Sequence, residues 1–326
     1  MSLALIGIGS NLGERAALLD EAIRLLGQTA GIQVRAVSRW HETLPIGGPA
    51  AQGPFLNGAV KLETSLAPKA LFSALTEIED RLGRERHARW QARTLDLDLL
   101  IYDELQLSQP GLTIPHPRLA FRRFVVEPAA EIAPEMIHPA VGWSLARLRD
   151  HLRTARPYLA IAGPAGSGKT HLADELVDFF SAHRIAAPRL PAGELGAGSA
   201  GRALAWELEL LVERGARLTA HDWPHDAPLA VSDFWFDQSL AYGGLRLDPP
   251  ALGELKARHE SLSHSVVPPK LVVLLTHNPA QRPADDSFAL ALRQLIGSGS
   301  GPFLELPADD WERQWDEVVA AVAAMA

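Results

Sequence analysis

The sequence predicts two domains of different fold class, an α+β domain over residues 1–150 and an α/β domain with a parallel, doubly wound sheet over residues 157–326. Its 326 residues exceed one ordinary domain of ~100–200 residues. The first part has the predicted order β-α-β-β-α-β, which is typical of a ferredoxin-like antiparallel sheet. The second part alternates strands and helices, as a parallel sheet requires.

Hydrophobic periodicity and turn residues place the elements of the first domain. In chain order they are a strand over 3–8, a helix over 14–26, strands over 32–40 and 55–62, a helix over 68–82, strands over 95–102 and 112–114, and a helix near 127–132. Pro68 suits the first position of its helix. A Gly- and Pro-rich loop covers 45–54, and the basic segment 147–157 is the predicted linker.

The second domain is predicted to begin at the strand 158–162, which a Gly-rich turn joins to a helix over 169–180. Its other predicted elements are a helix over 200–218, strands over 229–232 and 271–276, and a terminal helix over 309–324. This alternation predicts a parallel sheet with helices on both faces.

Composition excludes several kinds of protein. Without cysteine there is no disulfide framework, thiolate zinc site or cysteine nucleophile, and a cytoplasmic location is expected. No apolar run approaches the ~20 residues that span a bilayer, so no membrane partner is expected. Residues 156–326 carry 14 Lys and Arg against 22 Asp and Glu, and therefore the whole net charge of −8. An acidic half argues against nucleic acid as a partner.

The segment Arg93-Thr-Leu-Asp-Leu-Asp carries the strongest chemical signal. Asp96 and Asp98 stand two apart on a predicted strand and so project from one face, where two carboxylates can share metal ions. Magnesium takes a few such oxygens and completes its shell with water and phosphate. Leu95, Leu97 and Leu99 would face the core. An isolated pair of this kind is more often a solvated strand face, at odds of about two in three.

Arginines change those odds. Arg81, Arg84, Arg86, Arg89 and Arg93 precede the aspartates closely. Guanidinium groups bind polyphosphate through paired hydrogen bonds, although a solvated arginine face is the alternative at roughly one in three.

Six segments in order resemble the 6-hydroxymethyl-7,8-dihydropterin pyrophosphokinase family. They are Ile8-Gly-Ser-Asn-Leu-Gly, the loop 43–47, Phe55-Leu-Asn-Gly-Ala-Val, Gly83-Arg84, Arg93-Thr-Leu-Asp-Leu-Asp and Ile114-Pro-His-Pro-Arg. The resemblance covers about residues 2–150. It implies transfer of diphosphate from ATP to the hydroxyl of the pterin, with release of AMP.

The resemblance also assigns residues to roles. It implies that Asp96 and Asp98 hold two Mg²⁺ ions and that Arg84 and Arg93 stabilise the transferred diphosphate. It places the pterin beside Thr43, Pro45, Phe55, Asn57 and Phe124, with the two phenylalanines stacking on the ring. It places ATP beside Glu79, Trp90, His116 and Arg122. Asn11 is expected to serve only the strand-to-helix turn.

One segment departs from the family pattern. Where relatives have Arg-Trp-Gly-Pro-Arg, this chain has Arg89-Trp-Gln-Ala-Arg93, and losing Gly and Pro changes the backbone freedom of the loop. We expect altered loop dynamics and retained chemistry. The alternative from another class is a pterin- or nucleotide-binding module without catalysis.

In the second domain, Gly163-Pro-Ala-Gly-Ser-Gly-Lys-Thr170 fits the phosphate-binding loop (P-loop), which joins a strand to a helix. The motif predicts an α/β P-loop domain. Its ATP-binding residues would be Gly163, Gly166, Gly168, Lys169 and Thr170. Lys169 would reach the β- and γ-phosphates and Thr170 would ligate Mg²⁺.

Residues 157–326 resemble deoxynucleoside kinases in the order of their segments, with two departures. Asp233 is followed by Phe234 where that family has arginine, and the predicted lid holds only Arg282 and Arg293. The general base of that family has no clear counterpart in this chain. Glu194 is the one candidate, and a solvated loop glutamate fits it at least as well. Trp206, Trp235 and Phe236 fit base stacking or a core equally. Two alternatives stay open: a kinase acting on a deoxynucleoside, or a nucleotide-binding scaffold that forms a homodimer.

Overall fold

The structure is a computed structural model that describes residues 1–48, 52–84, 92–188, 200–219, 223–224, 226–276, 287–297 and 299–326. It divides into two compact units. The first comprises Met1–Arg153 with Ala320–Ala326, and the second comprises Thr154–Val319. The activity predicted for the second domain stays a prediction.

The first unit is built on an antiparallel sheet. Its strands are β1 (Ser2–Ser10), β2 (Ile32–Val37), β3 (His41–Thr43), β4 (Phe55–Thr64) and β5 (Asp96–Tyr102). They lie in the order β2-β4-β1-β5, and β3 also pairs with β4. The predicted antiparallel α+β class is confirmed, and the ferredoxin-like name stays a prediction.

Two long helices line one face of this sheet, α1 (Arg15–Gln28) and α2 (Pro68–Arg81). Each has an apolar stripe that packs with the inward side chains of the strands, and the resulting core includes Leu19, Leu75 and Leu97. A hairpin of β6 (Leu107–Gln109) and β7 (Leu112–Ile114) follows, and then a 3₁₀ turn, Leu119–Phe121.

In this region the start of one predicted helix was wrong, and a predicted linker is mostly helical. The helix predicted near 127–132 is α3 (Arg123–Ile132), which begins four residues earlier and contains Pro128 in its interior. The predicted linker is largely α4 (Leu145–Thr154). Leu145, Leu148 and Leu152 are buried at helical spacing, and the arginines between them disguised that stripe.

The second unit has a parallel sheet in the order β12-β11-β8-β10-β9. Its strands are β8 (Tyr158–Ala162), β9 (His183–Ile185), β10 (Ala230–Ser232), β11 (Leu271–Thr276) and β12 (Phe303–Pro307). The helices are α5 (Lys169–Phe180), α6 (Ala200–Arg217), α7 (Gln238–Arg246), α8 (Pro249–Ser263), α9 (Ser287–Gly297) and the part of α10 (Trp311–Met325) up to Val319. The predicted parallel α/β class is confirmed.

No helix in the described part of the chain is long and apolar enough to cross a membrane.

Candidate active site

A row of three residues crosses the middle of the first sheet. Gly9 on β1 pairs with Asn57 on β4 and with Asp96 on β5. Directly opposite residues of antiparallel strands project from the same face, so Asn57 and Asp96 flank a glycine on one surface. Gly7 pairs in the same way with Asp98. The central strand therefore presents bare backbone between the predicted pterin amide and the two aspartates.

Asp96 is held between the two predicted catalytic arginines. Arg84 Nη2 lies 2.9 Å from Asp96 Oδ1, and Arg93 Nη1 donates to Oδ2 at 2.5 Å. Arg84 also donates to the carboxylate of Glu79, which is 3% exposed. Arg84, Arg93 and Glu79 thus join Asp96 in one network of hydrogen bonds and ion pairs.

Asp98 is the more open of the two aspartates, with 38% of its side chain exposed. The predicted ATP residue His116 approaches it, with Nε2 at 4.0 Å from Oδ2. The backbone N–H of Arg118 donates to His116 Nδ1 at 3.2 Å, so a neutral ring carries its proton on Nε2. The ring N–H at Nε2 therefore faces Asp98.

Burial shapes the charges of this cluster. It raises the pKa of Glu79 to about 7, against the hydrogen bond from the Leu97 N–H and the charge of Arg84, both of which favour the ionised form. Burial and the charge of Asp98 also raise the pKa of Asp96, while Arg93 and Arg84 oppose that rise. A site that raises carboxyl pKa values in this way favours binding a cation.

Asn11 is a positioning residue that the sequence prediction missed. Its Oδ1 accepts a hydrogen bond from the Arg93 backbone N–H at 2.7 Å, and its own N–H donates to the Arg93 carbonyl at 3.1 Å. Its Nδ2 reaches Gln52 and the Gly53 carbonyl on the opposite loop. The only signal in the sequence was its place directly after β1, which also fits an ordinary turn.

The predicted pterin residues come from three adjacent segments. Asn57 Nδ2 donates to Thr43 Oγ1 at 2.8 Å, and Thr43 pairs with Phe55 across β3 and β4. Pro45 follows two residues after Thr43 and is half-buried. Phe124 lies in the first turn of α3, which packs on β4. Of the ring contacts between described residues, none joins Phe55 to Phe124, so the two rings do not stack on each other.

Of the two remaining predicted ATP residues, Arg122 and Trp90, only Arg122 lies in the described part of the chain. Arg122 lies just before α3, with its guanidinium 5.5 Å from the Phe124 ring centroid. Trp90 lies outside the described residues, as do Gln91, Arg86 and Arg89.

In the second unit, the predicted P-loop joins β8 to α5. Gly163, Gly166 and Gly168 all have positive φ. A Cβ on Gly163 would lie 2.5 Å from the Leu275 carbonyl, so only glycine fits there. Lys169 Nζ donates to the Pro164 carbonyl at 2.6 Å, across the loop. The loop leads into the N-terminus of α5, and the first N–H groups of a helix have no partner within the helix and suit an anion.

Thr170 and Asp233 meet at the edge of this loop. Thr170 Oγ1 donates to Asp233 Oδ2 at 2.8 Å. Phe234 and Trp235 are each 1% exposed and belong to the hydrophobic core, as does Phe236. Two of the three aromatic residues considered for base stacking are therefore core residues, and Trp206 is half-buried. Glu194 and Arg282 lie outside the described residues.

Comparison with known proteins identifies the first unit. A family model described as 7,8-dihydro-6-hydroxymethylpterin-pyrophosphokinase (HPPK) matches residues 5–134. A 2-amino-4-hydroxy-6-hydroxymethyldihydropteridine pyrophosphokinase from Synechocystis sp. is 43% identical over 145 residues, which cover 44% of this chain and 73% of that protein.

The chain belongs to the HPPK family. A second HPPK, from Bacillus subtilis, is 42% identical over 135 residues, which cover 41% of this chain and 80% of that protein. The predicted enzyme class of the first domain is thereby confirmed. Each HPPK motif in the sequence falls within the matched segment, including Asp96 and Asp98.

The second unit lies outside the HPPK match. A solved deoxyadenosine kinase from M. mycoides with bound dCTP aligns to 51% of this chain and 99% of its own, at 11% identity and a TM-score of 0.37. A score of that size is too low to establish a shared fold or function.

Proposed function

We propose that the first unit transfers the diphosphate of ATP to the hydroxyl of 6-hydroxymethyl-7,8-dihydropterin, giving the pterin diphosphate and AMP, in folate biosynthesis. The observation that carries this proposal is the row of Asn57, Gly9 and Asp96. It sets the amide that would recognise the pterin beside the carboxylate–arginine cluster that would hold the ATP phosphates. Membership of the HPPK family supports the same substrates.

The residues around the row would act mainly by positioning. Asn57, fixed by Thr43, would pair with the edge of the pterin, and Phe55 and Phe124 would cover the faces of the ring. The pterin hydroxyl would attack the β-phosphorus of ATP, and the bond to the bridging oxygen of AMP would break. Holding both substrates in line supplies most of the catalysis in such a transfer.

Arg84 and Arg93 would stabilise the charge that develops on the transferred diphosphate. In the structure both guanidinium groups are aligned by Asp96, so their side chains are already ordered on the site. Preorganised donors in a water-poor site contribute more than mobile ones. His116 and Arg122 would contact the nucleotide.

The residues of the first unit fit a magnesium site. Within the described part of the chain, each Asp96 oxygen contacts one guanidinium nitrogen, and a carboxylate has about four acceptor positions, so sites remain. Asp98 has His116 beside it at 4.0 Å, and 38% of its side chain is exposed. We propose that Asp96 and Asp98 hold two Mg²⁺ ions, although no cluster of three or more acidic or His ligands exists among the described residues. When bound, the metal would neutralise phosphate charge.

The test is a coupled assay of AMP release with the full chain, ATP and 6-hydroxymethyl-7,8-dihydropterin. We expect one AMP for each pterin diphosphate formed, and no AMP without the pterin. Lys169→Ala should leave this reaction unchanged, because it alters only the second unit. Formation of ADP in place of AMP would contradict the proposal.

For the second unit we propose a nucleotide-binding site at the P-loop. Two alternatives follow from it: phosphoryl transfer to a deoxynucleoside, or a scaffold that binds nucleotide and forms a homodimer. A kinase of this kind needs a general base after its second strand, but the residues directly after β9 are Ala186, Ala187 and Pro188. It also needs an arginine after Asp233, but the aromatic pair found there belongs to the core. These observations favour the scaffold.

A panel of deoxynucleosides separates the two alternatives. The full chain carrying Asp98→Asn, which should silence the first unit, is incubated with ATP and each deoxynucleoside. A deoxynucleoside monophosphate that disappears with Lys169→Ala would establish the kinase. ATP binding that is lost with Lys169→Ala, without any such product, would support the scaffold.

A further inference from the structure

Both carboxylate oxygens of Asp233 are fully engaged within the described part of the second unit. Oδ2 accepts from Thr170 Oγ1 at 2.8 Å and contacts Arg184 Nη2 at 2.9 Å. Oδ1 accepts from the Ala187 N–H at 2.8 Å and from Arg184 Nη1 at 3.2 Å. A carboxylate offers about four acceptor positions, so none remains on Asp233 for a metal ion.

This arrangement does not fit the magnesium site predicted from the P-loop motif. In that motif the metal is held by the loop Ser or Thr together with an Asp at the end of a neighbouring strand. Thr170 and Asp233 occupy those two positions, but a guanidinium takes the place beside the carboxylate. Asp96 of the first unit differs, because each of its oxygens contacts a single nitrogen among the described residues.

All three nitrogen atoms of the Arg184 guanidinium have partners, which fixes the side chain beside Asp233. Besides the two contacts with Asp233, its Nε donates to Asp174 Oδ1 at 2.8 Å and its Nη1 to the Ile185 carbonyl at 2.8 Å. A guanidinium has five N–H donors. Four have partners among the described residues, which leaves one on Nη2. The side chain is 20% exposed, so that donor can meet a ligand.

The strand register explains how Arg184 reaches the loop. On the parallel pair β9 and β10, Ile185 lies opposite Ser232, so Arg184 precedes that pair and Asp233 follows it. β10 also neighbours β8, the strand that leads into the P-loop. The Arg184 guanidinium therefore lies at the sheet edge from which the P-loop starts. Lys169 and Thr170 lie at the same edge.

The charges of this group are matched. Burial disfavours the charge of Arg184, but hydrogen bonds to Asp233 and Asp174 raise the pKa of its guanidinium, so it stays protonated. Burial also disfavours the Asp233 carboxylate, but hydrogen bonds from Arg184 and Thr170 lower its pKa. The pair is ionised, and Arg184 neutralises the negative charge that would repel a polyphosphate.

We propose that Arg184 is the built-in cation of the second P-loop, so that this unit binds the polyphosphate of a nucleotide without a divalent metal ion. Lys169 and the loop N–H groups would bind the phosphates, and the remaining Arg184 donor would add a charge-assisted hydrogen bond. The inference rests on the phosphate site proposed above and states which cation serves it.

The test is ATP binding by the full chain, measured by equilibrium dialysis in EDTA and in Mg²⁺. In EDTA we expect one bound ATP that is lost in Lys169→Ala. Arg184→Gln should weaken this metal-free binding by about 10- to 100-fold, the range for a charged hydrogen bond. Magnesium should restore it, because Asp233 is then free to bind the metal. Mn²⁺ electron paramagnetic resonance should count one more ion per chain in Arg184→Gln with ATP than in wild type.

Arg258→Gln, an exposed change on α8 of the same unit, is the control and should bind ATP as wild type does. A Lys169-dependent ATP site that appears only with Mg²⁺ would overturn the inference while leaving the phosphate site standing. No Lys169-dependent binding in either condition would remove the phosphate site itself. Equal metal-free binding by Arg184→Gln and wild type would also overturn the role of Arg184. If Arg184→Gln fails to fold, the wild-type measurement in EDTA still decides, and Arg184→Lys should retain part of the metal-free binding.

Discussion

Asn57 and Asp96 lie in one row across the first sheet, each paired with Gly9 on the strand between them. Two strand spacings of about 4.8 Å separate them, so their Cα atoms lie about 10 Å apart and their side chains share one face. Because Gly9 has no side chain, the Asn57 amide can lie over it on the way to Asp96. The two halves of the proposed reaction therefore meet over this glycine.

Gly9→Ala should displace the Asn57 amide. A Cβ at this position would lie 2.6 Å from Asn57 Oδ1, so the amide must move. We expect the KM for the pterin to rise at least about tenfold and the free energy of unfolding to fall by about 1–3 kcal/mol. Steady-state kinetics and urea unfolding measure both.

Gly27→Ala is the matched control. It lies in α1, and no described atom comes within 4 Å of the added methyl group, so it should raise stability by about 0.5–1 kcal/mol and leave the KM unchanged. A normal pterin KM in Gly9→Ala would show that the row does not bind the substrate.

Asn11→Ala should lower kcat, because the Arg93 backbone loses the acceptor that fixes it. A misplaced phosphate ligand costs on the order of 10²-fold in rate. Asn11→Asp keeps an oxygen that can accept from the Arg93 N–H and should recover most of the loss. If the two variants are equally slow, Asn11 acts in some way other than through that oxygen.

Arg84→Ala should lower kcat by about 10²–10³-fold, the cost of removing one preorganised donor to a developing anion. The KM for the pterin should change little, because Arg84 contacts Glu79 and Asp96 and not the pterin residues. Arg81→Ala, an exposed change at the end of α2 and three residues before Arg84, should keep full activity. Comparable losses in both variants would remove the specific role of Arg84.

Glu79 should make the stability of the first unit depend on pH. Its pKa in the folded protein is about 7, above the ordinary value of 4.5, because it is buried. Between those values the folded state holds a proton that the unfolded state has released. The stability that this proton supplies is complete below the ordinary value and is lost as the pH rises toward 7, by on the order of 3 kcal/mol.

Glu79→Gln removes this dependence. The amide oxygen can accept from both the Leu97 N–H and Arg84, which share one carboxylate oxygen in the wild type. We therefore expect the variant to gain stability relative to wild type as the pH rises from 5 to 8, in unfolding experiments at each pH. A difference that does not change with pH would mean that Glu79 ionises normally.

Much of the site could be predicted because its signals are local. The alternation of Leu95, Asp96, Leu97 and Asp98 predicts which side chains share a face, and Leu95 and Leu97 are buried as expected, at 0% and 3% exposed. The glycines and Lys169 of the P-loop form a short contiguous motif. The antiparallel and parallel character of the two sheets also followed from the order of the elements.

The rest depends on contacts between distant residues. The bond from Asn11 to Arg93 spans 82 positions and that from Arg184 to Asp233 spans 49, and neither leaves a pattern in a single sequence. β9 has only three residues, too few for a periodicity. α4 was hidden because its buried leucines alternate with arginines.

Asp98→Asn tests the central claim most directly. Asp98 is 38% exposed and lies 4.0 Å from His116, outside the network that joins Asp96 to the arginines, so its replacement leaves that network intact. We predict that pterin-dependent AMP release falls at least about 10²-fold, with unchanged thermal stability. Asp20→Asn, an exposed change on α1, should match wild type. Full AMP release by Asp98→Asn would contradict the proposed metal-assisted diphosphate transfer.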